Sequence, residues 1–272
     1  MERKKTVLAV VAHADDLEFM AGGTIARFVN EKGYDVYEYI LTDNSVGSFR
    51  LSKEDLIRAS AAEAIEAGKV LGLKDVRLEG YPDAFLNETH PNVIRDKVMS
   101  LIREVKADIV MSWDPFASRE DHPDHRVVGM AAYEAASFAA NPLFHPEHPF
   151  PPYKCTEAYW FAKHPGDDAQ TFVDISPTVD TKIEALVKHD CQMALTVDLI
   201  MAEAETLGVD MPGLNDMDGE TYRAFIGNTL REYCAETGKK AGYAFAEQFR
   251  YETLGMLNQL LGDDFYKPDF DQ

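Results

Sequence analysis

The order of apolar segments in this chain predicts an α/β fold: a Rossmann-like three-layer sandwich around a mainly parallel sheet, followed by a largely helical C-terminal part. Three observations predict it. Short apolar runs alternate with longer segments of helical period through the first two-thirds of the chain. The runs TVLAVVA and DIVMSW are apolar at nearly every position, as a strand covered on both faces must be. Nothing in the sequence shows the many short, evenly spaced strands of a β-sandwich.

The elements follow in order. Residues 6–12 form the first strand, and residues 22–31 a helix stopped by Gly33. A second strand covers 35–42. The Ala-rich helix over 52–71 is closed by Gly72, and Ser52 with Asp55 gives it an N-terminal capping signature. A third strand at 76–79 runs into a Tyr-Pro-Asp turn, then a helix across 92–105, a strong strand at 108–113 and a helix at 126–140. The stretch NPLFHPEHPFPPY, 141–153, is dense in Pro, aromatics and His and reads as an ordered loop over one face. Strands are expected at 157–163 and 171–175. From Thr181 the pattern is mainly helical, broken by MPGLNDMDGE and ETGKKAG. No repeat or low-complexity linker interrupts it, so one domain is expected over 1–272, with a core of 6–190 and a helical extension of 191–272. The acidic tail DDFYKPDFDQ reads equally as disordered or as packed through its Phe and Tyr residues.

Composition excludes several function classes. A net charge of −20 repels nucleic-acid backbones and anionic lipid, so neither is an expected partner. No run approaches the roughly 18 apolar residues that span a bilayer. The N-terminus has a basic start and a short apolar run, but it ends in charged residues without a small-residue cleavage site, against a signal peptide. Cys155, Cys191 and Cys234 are odd in number and far apart, which suits a reducing compartment and a cytoplasmic protein. A homo-oligomer is compatible with the sequence.

The chemistry sits where strands end. His13 and Asp16, three apart in HADD just past the first strand, can converge on one point in a tight turn or first helical turn. Asp15 lies beside them but points elsewhere. Carboxylates this close are uncomfortable as unpaired anions, and a divalent cation resolves the repulsion. Capping of a helix near Leu17 is the plainer alternative. Past the strand at 108–113, DPFASREDHPDHR puts His122 and His125 at a second such end. In open parallel sheets ligands bind outside the carboxyl ends of strands. Two His and one Asp make a three-ligand set with a position left for water, as in catalytic zinc sites. His145 and His148, in FHPEHP, share the spacing but follow a helix, so they are the less favoured pair; His90 and His164 read as loop residues.

AHADDLEFMAGG together with HPDH resembles the LmbE-like, or PIG-L, family of metal-dependent N-deacetylases. AAEAIEAGKVLG, KIEALVKHDCQ and AEQFR are similar to further stretches of that family, in the same order across most of residues 6–250. The resemblance implies Zn2+ (with Fe2+ as an alternative) held by His13, Asp16 and His125, with Asp15 as general base. It implies His122 as the group that stabilises the oxyanion and protonates the leaving amine, with Asp124 orienting it. The residue chemistry agrees: zinc brings the pKa of water from 15.7 to about 7, Asp15 can take the proton, and Asp124 is expected to keep His122 charged. Two departures bear on substrate. Ser60 stands where the family carries a substrate-binding Arg three residues before its helix Glu (Glu63), leaving Arg58 or Arg50 as replacements. TDNSVGSFR lacks the Thr-x-Gly-Glu pattern of many sugar-thiol deacetylases. His189 and Gln192 match the late motif and read either as pocket-lining or as structural.

The expected activity is therefore removal of an acetyl group from a small N-acylated molecule such as an amino sugar or glycoside, with Phe144, Phe150 and Tyr153 as a sugar platform or simply packing their loop. Competing readings are an amidase for non-sugar amides, a non-haem iron enzyme with a two-His, one-carboxylate triad, and a metal-retaining binding protein. The iron enzyme has no need of Asp15, and the binding protein would be expected to have lost it. A dinucleotide site is disfavoured because no G-x-G-x-x-G follows the first strand and paired acids there would repel pyrophosphate.

Overall fold

The computed structural model describes residues 4–211, 213, 218–262 and 265–270. Parts of MPGLNDMDGE, and residues 263, 264, 271 and 272 of the acidic tail, lie outside the described residues.

Seven strands form one sheet in the order β3-β2-β1-β4-β5-β7-β6. They are β1 (Thr6–Val11), β2 (Asp35–Thr42), β3 (Asp75–Tyr81), β4 (Ile109–Trp113), β5 (Glu157–Phe161), β6 (Thr171–Asp174) and β7 (Ala246–Thr253). The first five pair in parallel; β7 runs antiparallel to both β5 and β6. The helices are α1 (Asp16–Asn30), α2 (Lys53–Leu71), α3 (Pro91–Val105), α4 (Pro123–Phe138), α5 (Val179–Leu186), α6 (Asp190–Leu207), α7 (Gly219–Lys239) and α8 (Leu257–Leu261). Among the described residues no helix is long and apolar enough to cross a membrane.

The period-2 geometry of a strand explains the unbroken apolar runs. In β1, Val7, Ala9 and Val11 join the core under α1 and α2, while Leu8 and Val10 join the core under α3 and α4. The sheet is thus covered on both faces, the three-layer arrangement expected. Chain direction across it reverses at β1: β2 and β3 extend one way, β4 and β5 the other. The crevice between the carboxyl ends of β1 and β4 is the switch point where such sheets take ligands.

Two helix starts and one strand differ most from expectation. Helix α1 begins at Asp16 rather than residue 22, because Asp15 adopts φ 105° and turns the chain from strand to helix in one step. Gly22 and Gly23 lie inside α1 for packing: a Cβ on Gly23 would come within 2.7 Å of Ile175. Helix α4 begins at Pro123 rather than residue 126, with His122 as N-cap, so HPDH is a helix start. The third difference is β7, in a stretch read as helical. Its Phe249 and Tyr251, two apart, both meet Tyr159 of β5 edge to face, an alternation that a sheet rewards and a helix does not.

The three cysteines are buried and free. Burial pushes the Cys155 thiol up to about 12 and raises Cys191 and Cys234, so all three are inert at neutral pH. Within the described part of the tail, Phe270 is buried against Phe28, under the Arg27 guanidinium, which answers the question of packing for that segment.

Candidate active site

The chain end of β1 and the start of α4 bring three donors together. His13 Nδ1 lies 3.2 Å from His125 Nε2 and 3.7 Å from the Asp16 carboxylate, and His125 Nε2 lies 3.4 Å from Asp16 Oδ1. His122 joins the cluster, its ring centroid 4.5 Å from that of His13 and 4.6 Å from that of His125. Loops over a hundred residues apart therefore meet on one rim.

The nitrogens turned away from this cluster are held by carboxylates. His125 Nδ1 is 3.0 Å from Glu120 Oε1; His13 Nε2 is 3.1 Å from Asp83 Oδ1 and 3.5 Å from Asp124 Oδ2. Metal-binding imidazoles are held this way, one nitrogen toward the ion and the other bonded to an acid. Asp16 is fixed by N–H donors from Ala12, His13 and the Trp113 indole, at 3.0, 2.9 and 2.8 Å. Trp113 also stacks on His125, centroids 3.7 Å apart and planes 9° from parallel. One side chain at the end of β4 thus positions two of the three donors. The set suits a divalent cation: soft-to-borderline nitrogens plus one carboxylate, preorganised from behind.

Electrostatics agree with this geometry. Burial alone would raise the Asp16 carboxyl, but His125 and His13 hold it well below its usual range. Burial would lower His13, but Asp124, Asp16 and Asp83 raise it well above its usual value. Carboxylates and imidazoles of the site therefore stabilise one another's charged forms.

Asp15 behaves differently. Its φ of 105° is costly for a residue with a Cβ, and its side chain makes no capping bond to α1. The plain capping alternative is excluded. Burial, reinforced by the neighbouring Asp16 charge, pushes its carboxyl up to about 7. Asn44, itself in a left-handed conformation at φ 52°, braces this turn by accepting from Ala14 N–H at 3.0 Å.

His13, Asp15, Asp16, His122 and His125 all line one cavity of about 840 Å³. Its size lies in the upper part of the roughly 300–1,000 Å³ usual for small-molecule sites.

The profile of the PIG-L family, described as GlcNAc-PI de-N-acetylase, matches residues 8–136. Diacetylchitobiose deacetylase of Thermococcus kodakarensis is 31% identical over 193 residues, covering 69% of this chain and 70% of the relative. The chain belongs to the PIG-L family. A deacetylase of Rhodococcus jostii for 1D-myo-inositol 2-acetamido-2-deoxy-alpha-D-glucopyranoside is 25% identical over 254 residues, with 71% and 83% of the two chains covered. Among solved structures, N,N'-diacetylchitobiose deacetylase from Pyrococcus horikoshii with its inhibitor MPG superposes with a TM-score of 0.74 at 25% identity, covering 92% of this chain and 84% of that one. These relatives are named as deacetylases, hydrolases of carbon–nitrogen bonds other than peptide bonds.

Several PIG-L-like stretches turn out to build the support for the site. Lys182 and Glu247, from KIEA and AEQF, form a buried ion pair wedged against α1: Lys182 donates to Phe19 O, while Glu247 accepts from Gly23 N–H and Thr24 N–H. Glu63 of the long helix accepts from Cys191 N–H at 3.1 Å, tying α2 to α6.

Other expectations need correction. Asp124 does not hold the His122 ring; its carboxylate accepts from Ala84 and Leu86 N–H and faces His13, while its backbone N–H donates to His122 Nδ1. Burial and the nearby His13 and His125 lower the His122 pKa, the opposite of the direction expected. Neither arginine reaches the cavity. Arg58 is exposed on the outside of α2 and pairs with Asp55; Arg50 pairs bidentately with Asp198 at 2.8 and 2.6 Å beside a separate hollow. Both are satisfied locally by acids within reach. His189 is buried against Glu18, at 3.2 Å, and only its neighbour Gln192 lines the cavity.

The 141–153 loop lies at the opposite rim, since it follows a helix and precedes a strand of a parallel sheet. Buried Arg103 clamps it by donating to the carbonyls of Ala139, Asn141, Phe144 and His145 and bonding His148 Nδ1. Asp96, His145, Glu147 and His148 do cluster, but a guanidinium on His148 Nδ1 makes that nitrogen the acceptor and leaves Nε2 carrying the proton toward Asp96. That arrangement opposes a cation. Phe144 stacks on Phe138 and Tyr153 donates to Asp108, which is packing rather than a sugar platform.

Asp83, Glu120, Trp113 and Asn44 carry positioning roles that residue spacing did not single out. Their signals were present: Asp83 lies in the Tyr-Pro-Asp turn, Glu120 just before HPDH, Trp113 at a strand's last residue.

Proposed function

We propose that this protein removes the acetyl group from an N-acetylated amino sugar or glycoside by metal-dependent hydrolysis, with His13, Asp16 and His125 as ligands of a zinc ion. One observation carries the proposal: the convergence of those donors, their far nitrogens held by acids, beside a strained, cavity-lining Asp15. Zinc suits the donor set best and iron(II) next. Bound there, the ion lowers the pKa of water to about 7 and polarises an amide carbonyl.

The chain's own residues supply the rest. Asp15, free of its helix cap, takes the proton of the attacking water. His122 faces the charge that develops on the carbonyl oxygen and donates a proton to the nitrogen as the carbon–nitrogen bond breaks, giving acetate and a free amine. Burial lowers the His122 pKa, so its imidazolium, once formed, gives up its proton readily to the leaving nitrogen. Asp124 positions His122 through its backbone and braces His13 through its carboxylate. The acid-rich floor favours a neutral amide over an anionic substrate. Three inert thiols fit a reducing cytoplasm, and β7 completing the sheet supports a single domain over the whole chain.

Acetate release from N-acetylated sugars, sugar thiols and non-sugar amides, with and without a chelator, tests this. Chelator-sensitive release from the sugars is expected. Release only from non-sugar amides would replace the substrate class, and activity indifferent to chelation would overturn the mechanism.

A further inference from the structure

The cavity continues well past the cluster of His and Asp. Beyond it, α6 and α7 present facing apolar rows: Leu195 and Leu199 four apart on one, Ile226, Leu230 and Tyr233 at helical spacing on the other. At its mouth Leu199 is 53% exposed and Phe49, on the loop after β2, 65% exposed. Apolar surface left this open at the mouth of a cavity is available to an apolar ligand. Among the described residues Lys163 is the one lysine or arginine along the lining, and it is drawn to Asp121 at 3.0 Å and Glu120 at 3.5 Å. Among the described residues no arginine lines it to receive a phosphate or carboxylate, and the protein as a whole is strongly acidic.

From this we infer that the substrate carries, besides its amide, an uncharged apolar chain that lies in the trench between α6 and α7. The inference rests on the amidohydrolase reading above and specifies its substrate class. Continuity argues for substrate rather than a protein partner: one cavity contains both the trench and Asp15, so whatever fills the trench reaches the reacting amide. The chain can be the alkyl group of a glycoside or a lengthened acyl group, and both present the same methylenes to the same leucines. The trench binds the chain alike before and during reaction, so its contribution appears mainly in KM.

The test uses full-length, metal-loaded protein and two substrate series. One is N-acetylglucosamine glycosides with methyl to octyl aglycones; the other is N-acyl glucosamines from acetyl to octanoyl. In at least one series kcat/KM should rise by about fourfold per methylene before levelling, chiefly through KM. L199D and L230D should flatten that slope. Calorimetry with alkyl glucosides, which carry no amide, follows trench binding independently of turnover and should show affinity rising with chain length. Flat responses in both series and in calorimetry would overturn the trench while acetate release kept the hydrolase reading intact. Flat responses accompanied by reversible dimerisation on concentration would assign the apolar face to a second copy instead. Chain-length-dependent binding with no turnover of any amide would uphold the trench and overturn the hydrolase reading.

Discussion

Asp15 and Asp16 are adjacent acids with opposite fates, and backbone geometry separates them. Asp16, on the first helical residue, points back to β1 and accepts from three N–H donors. Asp15, held left-handed at φ 105°, turns into the cavity without a cap bond. Asp15→Asn keeps the shape and removes the proposed base, so bound metal should be retained while kcat falls by about 10²–10⁴; near-normal turnover would remove Asp15 from its role. Metal analysis can separate the proposed histidine pair from the pair at the far rim. Glu120→Ala releases His125 Nδ1 and should weaken metal affinity by about 10–100-fold, whereas His148→Ala at the far rim should leave it unchanged. Metal loss in His148→Ala would mean that the wrong HxxH had been chosen.

At the scale of elements, the approach of α4 to β4 decides whether His122 and His125 arrive on target. Gly129 permits it: a Cβ there would stand 2.4 Å from the carbonyl oxygen of Trp113, backbone that cannot swing aside. Gly129→Ala should therefore cost about 1–3 kcal/mol of stability and weaken metal binding together, read by thermal melting and metal titration; unchanged binding would show that α4 has slack. The same scale shows which elements were legible. Strands β1, β2 and β4 were plain because each is buried on both faces. The start of α1 was placed at Gly22, six residues late, and only Ile175 and Lys182, distant in sequence, explain why both glycines lie inside the helix. Strand β7 was missed because its alternation matters only once β5 and β6 flank it.

The whole molecule is locked behind the site by Lys182 and Glu247, which join α5, β7 and the middle of α1. Burial alone would lower the Lys182 ammonium, yet Glu247 raises it. Losing one partner leaves an uncompensated buried charge, so Lys182→Met should cost about 3–5 kcal/mol, with Lys182→Met/Glu247→Leu recovering part of it. The pH dependence follows from the sign. A lysine raised in the folded state contributes fully below its ordinary value of about 10.5 and loses that contribution as pH climbs through the folded value. Wild type should therefore lose more Tm above about pH 10.5 than the double variant; equal losses would deny the pair its role.

Local order along the chain was enough to state the fold class, the covered strands, the two motif-bearing strand ends and the candidate ligands, because periodicity and spacing act within a few residues. It was not enough to say that Asp124 serves His13 rather than the His122 ring, that Arg50 and Arg58 are satisfied by Asp198 and Asp55, or that α6 and α7 open an apolar trench. Those outcomes depend on which side chains meet after the sheet closes. Hydrogen bonds and ion pairs go to whichever partner packing brings within about 3 Å, and packing is a property of the assembled layers.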